Sequence, residues 1–490
     1  MAFNFSKKVV KAILTFGVFA YSLFNFFYNL DAESFYTDEV VYSLCGLEYL
    51  QGNFTRNLDH PFLGKYLIGL SLRLLGKSDF SARFPCALFG FLAGVVLFFF
   101  AKELTNFYFG LVAVSLWSSS PIILWISRRA ILDSFLVFFV TLSLYVFWRF
   151  FNKGETRYAL LGGISLGLAL SCKLMAAVVV PILLVYIAFL SIKERRAPKL
   201  ALLIKLALAL LVVLTIFLLV YAPVLGRLGS VLRFMAQFLR WHQQHGHRVV
   251  VHGVIYDKPP WWAYLYWYWH GDSPYLQSYS PGLLIMLGMA IYFALLRRDR
   301  NDIFLLLSFV LPFSYLSFCL SYKMFRYADI FEPSLIILAC SFMYSVSSYF
   351  KRQSDRNYVY LVMMSLLVIV IIHSMIFASW HIYIQEENEY KAVANHLRSK
   401  VKENEVVFVW GYTDVMEWYL GSGFTIVGGY TTDGLQANYN ADYLVIDPRM
   451  RTRWPNDPLV AFLEENKAVY EEHTIRGLKL YVKLANKGKN

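Results

Sequence analysis

The sequence predicts an α-helical integral membrane protein carrying a small α/β domain at its C-terminal end. Three observations support that expectation. The 490-residue chain is 58% hydrophobic and 16% charged, with mean hydropathy +0.48, against about 45–50% apolar and about 25% charged in an ordinary soluble domain. Its apolar residues are gathered into segments long enough to cross a bilayer. After residue 379 charged residues return, and short β-type runs alternate with helical ones.

A spanning helix takes about 20 mostly apolar residues, and about eleven segments meet that rule. They are 11–29, 82–101, 107–126, 131–150, 158–173, 175–192, 200–221, 281–296, 302–320, 330–349 and 358–379. The first follows Lys7, Lys8 and Lys11; its apolar stretch is long and no small-residue cleavage site follows, which predicts an uncleaved anchor. With the N-terminus cytoplasmic, every inside loop is basic, as topology requires. Those loops carry Lys102, then Arg149, Lys153 and Arg157, then Lys193, Arg195, Arg196 and Lys199, then Arg297, Arg298 and Arg300, and last Lys351, Arg352 and Arg356. An odd number of spans places 30–81, 222–280 and 380–490 outside. The expected organisation is therefore a multi-pass domain at 1–379 in the cell membrane, with outer loops 30–81 and 222–280, and an extracytoplasmic domain at 380–490.

The outer segments have structure of their own. Residues 38–51 and 61–76 have apolar positions at helical spacing and read as helices at the outer interface. KPPWWAYLYWYWHG at 258–271 reads as an interfacial helix anchored by aromatics. In the last domain a charged helix is expected near 384–401, with strands at VVFVW (406–410) and YLVIDP (443–448). That domain has no glycine loop for a nucleotide, and the chain has no evident internal repeat of the kind many transporters carry.

The formal charge of +13 does not point to nucleic acid, because the basic residues lie scattered between apolar runs. Cys45, Cys86, Cys172, Cys319 and Cys340 are far apart and show neither metal spacing nor a disulfide framework. His242, His245, His247 and His252 are spaced as zinc ligands can be, but no paired cysteine or acid supports them; no metal site is predicted. Asn53-Phe54-Thr55 is a glycosylation sequon in an outer loop.

Two anomalies point to chemistry. Lys65, Arg83, Arg128, Arg129, Lys173, Lys323 and Arg326 fall at outer ends, where few cations are expected. Cations near bilayer depth need anionic partners. Asp133, Asp329 and Glu332 can supply some, but the bases outnumber the acids, so a phosphate or pyrophosphate at the membrane surface fits. Asp38-Glu39 begins a half-apolar stretch at that surface. Asp38 reads either as the cap of a helix over 39–50 or as a catalytic acid.

The stretch 36–77 resembles the first outer loop of the protein O-mannosyltransferases and their bacterial and archaeal relatives, with its Asp-Glu pair and a His-Pro-Pro-Leu-Gly-Lys run. Here that run is His60-Pro61-Phe62-Leu63-Gly64-Lys65, with Phe62 in place of the second proline. Further similar segments follow in order: ARFPCALFG (82–90), SRRAILDSFLVFF (127–139), GLALSCK (167–173), KPPWWAYLYW (258–267) and YKMFRYADIFEP (322–333). The resemblance covers about residues 12–335 and leaves out the C-terminal domain, which is not the sugar-binding MIR module of eukaryotic members. WWAYL at 261–265 lacks the acid and glycine of the Trp-Trp-Asp-Tyr-Gly motif, which argues against the oligosaccharyltransferase branch.

The resemblance implies a GT-C fold and inverting transfer of a hexose, mannose first, from a polyprenyl- or dolichyl-phosphate sugar to a hydroxyl of a protein or glycan at the outer face. Inversion needs a base at the acceptor and stabilisation of the departing phosphate. Asp38 matches the base, Glu39 supports it, and Asp133 orients the acceptor or the base-bearing loop. Lys65, Arg128, Lys323 and Arg326 are the implied donor-phosphate residues, with His60, Arg83, Trp261, Trp262 and Tyr327 as acceptor or structural support. No cofactor is required, and with two cations at the phosphate neither is a divalent metal. The implied partners are the lipid-linked donor, the acceptor and membrane lipid, not nucleic acid; a dimer is allowed. Lipid modification of the aminoarabinose-transferase type is the nearest alternative. A flippase for lipid-linked sugars or a sensor built on 380–490 stands further off.

Overall fold

The computed structural model describes residues 7–195, 198–246, 249–271, 279–352, 357–383, 389–402, 405–421, 423–429, 441–453 and 457–484. Arg196, Arg356, His247 and the opening residues 384–388 of the expected charged helix lie outside the described residues. The chain forms two compact units, Met1–Tyr28 with Cys45–Tyr383, and Asn29–Leu44 with Ile384–Asn490.

The first unit is helical. Its first half holds α1 (Lys7–Phe27), the end of α2 (Thr37–Leu50), α3 (Leu63–Leu75), α4 (Asp79–Leu104), α5 (Phe107–Trp117), α6 (Pro121–Ser127), α7 (Asp133–Lys153) and α8 (Thr156–Cys172). Then come α9 (Val179–Glu194), α10 (Leu200–Val220), α11 (Leu228–His245), the strands β1 (Val249–Val251) and β2 (Val254–Tyr256), and α12 (Ala263–His270). The unit ends with α13 (Pro281–Arg297), α14 (Arg300–Ser314), α15 (Glu332–Arg352) and α16 (Asn357–Tyr383). α2 and α3 cross backbone to backbone, since a Cβ on Gly46 would lie 2.3 Å from the Lys65 carbonyl oxygen. β1 and β2 pair antiparallel across a two-residue turn in which His252 and Gly253 both take positive φ, 55° and 72°, as a type I′ hairpin requires.

Every expected span is a helix or a pair of helices, but the count of eleven does not carry over. Among the described residues six helices are long and apolar enough to cross a membrane, or up to seven with α5 and α6 taken as one broken span bent by 67°. The break has a local cause. Ser120 caps α6 by accepting the Ile123 N–H, and Pro121 follows at the first helical position, where its missing N–H costs nothing. α8 and α13 have 17 residues each, one turn short of an untilted crossing.

The second unit is built on a five-stranded sheet of order β4-β3-β5-β7-β6. β3 (Val406–Trp410), β4 (Thr425–Gly429) and β5 (Tyr443–Ile446) run parallel; β6 (Tyr470–Ile475) and β7 (Leu478–Lys483) close it antiparallel. All four residues of β5 are buried, and such a strand reads as a continuous apolar run. α17 (Glu389–Arg398), α18 (Thr413–Leu420), α19 (Pro448–Arg453) and α20 (Pro458–Glu465) accompany the sheet. The expected boundary at 379/380 falls instead at Tyr383, and residues 29–44 of the first outer loop belong to this unit. The reason is aromatic packing: the Phe35 ring lies tilted against Trp418 at 4.9 Å and the Tyr36 ring against Tyr412 at 6.1 Å.

Candidate active site

In the second unit, α2 begins at Thr37, so Asp38 lies in its first turn and not at its cap. The buried Glu39 makes the capping bond, its Oε2 accepting the Tyr36 N–H at 2.8 Å. This is the reciprocal arm of a capping box. Asp38 is left half-buried beside it.

In the first unit, Lys65 is fully buried, and its ammonium donates to the carbonyl oxygens of Asn57 and His60 and to the Tyr49 hydroxyl. Burial pushes Lys65 down to about 8. The cation thus ties together the loop that leads into its own helix. Phe62, where the resemblance expects proline, is fully buried against Tyr221 (4.7 Å), Tyr49 (5.2 Å) and Phe54 (5.5 Å). An aromatic plug replaces a rigid turn.

A second cationic cluster surrounds Tyr327. Lys173 Nζ lies 4.5 Å and Arg326 Cζ 5.8 Å from the centre of its ring, and its hydroxyl donates to the Tyr322 oxygen at 3.0 Å. Lys173 pairs with Asp133 at 2.8 Å, both almost fully buried; this is one of the ion pairs expected of the outer cations. Tyr322 in turn meets the His242 ring at 4.8 Å. His60 is held well below the ordinary histidine value by burial, reinforced by the charges of Lys65, Lys173, Arg326 and His242. A neutral imidazole is what a site already crowded with cations can hold. Asp329 is fully buried, and neither carboxyl oxygen has a hydrogen-bond partner among the described residues. Burial, then Asp133, raise it well above the usual carboxylate range, against the pull of Lys173 and Arg326.

The remaining expected residues lie elsewhere in the unit. Lys323 donates to the carbonyls of Pro259 (3.0 Å) and Leu320 (2.6 Å). Arg128 Nη1 donates to the Asn25 carbonyl at 2.9 Å, and Arg83 is buried. Trp261 is half exposed and stacks on Phe318 at 5.7 Å; Trp262 meets Tyr266 edge-on. His242 and His245 lie in α11 and His252 in the hairpin turn, and no group of three or more metal-ligand side chains is assembled among the described residues. Sequence reading gave Tyr322 no role, and took Asp329 only as a counter-ion and His242 only as one of a spaced group of histidines. The first two flank the Lys-x-x-Arg-Tyr run at 323–327, within three residues of its ends, so proximity to that motif was their available signal.

Residues 59–225 match the dolichyl-phosphate-mannose-protein mannosyltransferase family. An uncharacterized protein of Aquifex aeolicus (strain VF5) is 29% identical over 184 residues, 36% of each chain. The undecaprenyl phosphate-alpha-4-amino-4-deoxy-L-arabinose arabinosyl transferase of Wigglesworthia glossinidia brevipalpis is 25% identical over 137 residues, 27% of this chain and 24% of that protein. The chain thus matches about a third and about a quarter of the length of these curated relatives. In fold it is similar to ArnT from Cupriavidus metallidurans bound to undecaprenyl phosphate, with TM-score 0.62 and 14% identity over 98% of this chain and 99% of that one. It is likewise similar to the archaeal oligosaccharyltransferase AglB from Archaeoglobus fulgidus, in complex with an inhibitory peptide and a dolichol-phosphate, with TM-score 0.62 and 13% identity over 97% and 74%. The fold is that of the GT-C membrane glycosyltransferases. Sequence likeness to the mannosyltransferase family is confined to residues 59–225, about a third of the chain.

Proposed function

We propose that the protein transfers a sugar, with inversion, from a polyprenyl-phosphate carrier to an acceptor hydroxyl at the outer face of the membrane. The observation that carries this reading is the pair of cations about Tyr327, Lys173 and Arg326, with a His60 kept neutral chiefly by burial and then by the surrounding cations. Such a group suits a phosphate whose negative charge grows as the sugar departs, and fixed donors there lower the barrier without reorganising. Arg326 and Lys173 take the carrier phosphate in this proposal; Lys65, Lys323 and Arg128 hold backbone carbonyls instead. Asp133 restrains Lys173. Asp38 is the base that removes the acceptor proton, and Glu39 holds the start of its helix. Neither a metal nor another cofactor is required.

The family matched over residues 59–225 supports mannose moving to a protein or glycan as the first reading. The lipid-modifying alternative stands beside it, because a curated relative is an arabinosyl transferase acting with undecaprenyl phosphate. Purified protein in proteoliposomes, given labelled polyprenyl-phosphate mannose, glucose or aminoarabinose with peptide, glycan and lipid acceptors, tests both. Transfer from one donor identifies the branch, and transfer from none refutes the enzyme reading.

A further inference from the structure

Open α/β sheets take ligands at the carboxyl ends of parallel strands, where the connections part to opposite sides. In the second unit that point lies between β3, which leads through α18 to β4 on one side, and β5, which leads toward β7 on the other. The crevice there is filled by the protein itself. The Tyr390 hydroxyl donates to Asp447 at 3.1 Å and accepts the Tyr412 N–H at 3.1 Å. A Cβ on Gly411 would come within 2.5 Å of that same hydroxyl oxygen. Arg449 closes over Asp447 and Glu389 at 2.8 Å.

Beside that crevice, α17 and α18 hold the chain just before α2. The Tyr390 N–H, in the first turn of α17, donates to Ser34 Oγ at 3.3 Å. The Phe35 N–H donates to the Tyr419 hydroxyl at 3.1 Å, and the Phe35 ring, almost fully buried, packs on Trp418. Two successive backbone N–H groups at the helix entrance therefore have assigned acceptors: Tyr419 for residue 35 and Glu39 for residue 36. A residue at the position of Phe35 commonly packs one turn into its own helix and sets the entry angle; here Trp418 receives it.

We propose that the α/β unit is a positioning module whose helices α17 and α18 grip Ser34–Tyr36 and so fix the first turn of α2, which carries Asp38; Tyr390, Trp418 and Tyr419 act as the positioning residues. The proposal rests on the reading of Asp38 as the base. A base displaced by about 1 Å loses on the order of 10²-fold in rate, which is reason for a membrane enzyme to commit a folded unit to holding one turn.

The test uses the full chain in nanodiscs. Tyr419→Phe removes one hydroxyl without changing shape, and turnover falls roughly tenfold, the equivalent of one hydrogen bond. Trp418→Ala lowers it on the order of 10²-fold, and Trp418→Phe restores most of the loss. Affinity for undecaprenyl phosphate stays within about twofold of wild type in all three, a kcat-selective loss, while amide exchange over residues 34–39 accelerates in Tyr419→Phe and Trp418→Ala. Normal turnover in Tyr419→Phe with accelerated exchange overturns the positioning role; unchanged exchange overturns the grip. If Trp418→Ala does not fold, the isosteric Tyr419→Phe decides alone. An inactive wild type refutes the proposed function and this role together, and is told apart because no substitution is involved.

Discussion

Lys65 and Lys173 are both buried lysines, and their neighbours give them different surroundings. Lys65 is surrounded by carbonyl oxygens and a hydroxyl, whereas Lys173 has a carboxylate on one side and an aromatic face on the other. Because Lys65 titrates near 8, below the ordinary 10.5, the unfolded chain binds its proton more tightly between those values. Its contribution to stability therefore rises with pH across about 8 to 10.5. The melting temperature of wild type relative to Lys65→Met should climb over that window, and a flat difference rules the buried cation out. Arg326→Ala should weaken carrier binding and slow turnover, costing about 2–4 kcal/mol in the barrier. Arg326→Lys should keep part of both, since charge survives while the planar fork is lost. Transfer assays with carrier-binding titrations check it; a normal rate in Arg326→Ala makes the residue structural. Asp38→Asn should lower transfer by about 10²–10⁴-fold with unchanged melting temperature, because the helix starts ahead of it and Glu39 makes the cap. Glu39→Gln can still reach the Tyr36 N–H and should cost much less. The reverse order of damage would move the base to Glu39.

At the scale of elements, the interfacial helices were legible from periodicity alone: 38–51 and 61–76 were expected, and Thr37–Leu50 and Leu63–Leu75 are found. VVFVW forms a strand with the expected ends. The antiparallel pair β6 and β7 was missed because its alternation is weak, with only Tyr470, Leu478 and Leu480 buried along the two strands. Phe62 illustrates a substitution that a motif marks only as a departure. Its ring fills the centre of an aromatic cluster, so Phe62→Ala should destabilise the first unit by about 3–5 kcal/mol through the cavity left behind. Thermal unfolding in detergent measures this; a loss below about 1 kcal/mol would mean that the cluster collapses onto the space.

For the whole molecule, the positive-inside pattern predicts that the α/β unit lies outside the cell. In a Cys319→Ser background, the remaining cysteines being buried, Glu465→Cys at an exposed helix end should react with an impermeant maleimide in intact cells. Labelling only after permeabilisation would invert the topology and remove Asp38 from the outer face. The break between α5 and α6 shows why spans are harder to count than to locate: hydropathy sees one apolar run at 107–126, while Ser120 and Pro121 start a new helix inside it.

By itself the sequence determined the membrane class, the places of the helices and the order of the motif-bearing segments, because hydropathy, helical spacing and turn chemistry act over a few residues at a time. It also singled out the cations at helix ends as candidates, since a cation at bilayer depth is costly enough to stand out. Only the tertiary structure decided how each charge is used. Lys173 and Asp133 are 40 residues apart in sequence and 2.8 Å apart in space, and Phe35 meets Tyr419 across 384 residues. No local pattern encodes those distances; packing sets them, and with them whether a lysine ties down a loop or balances an acid.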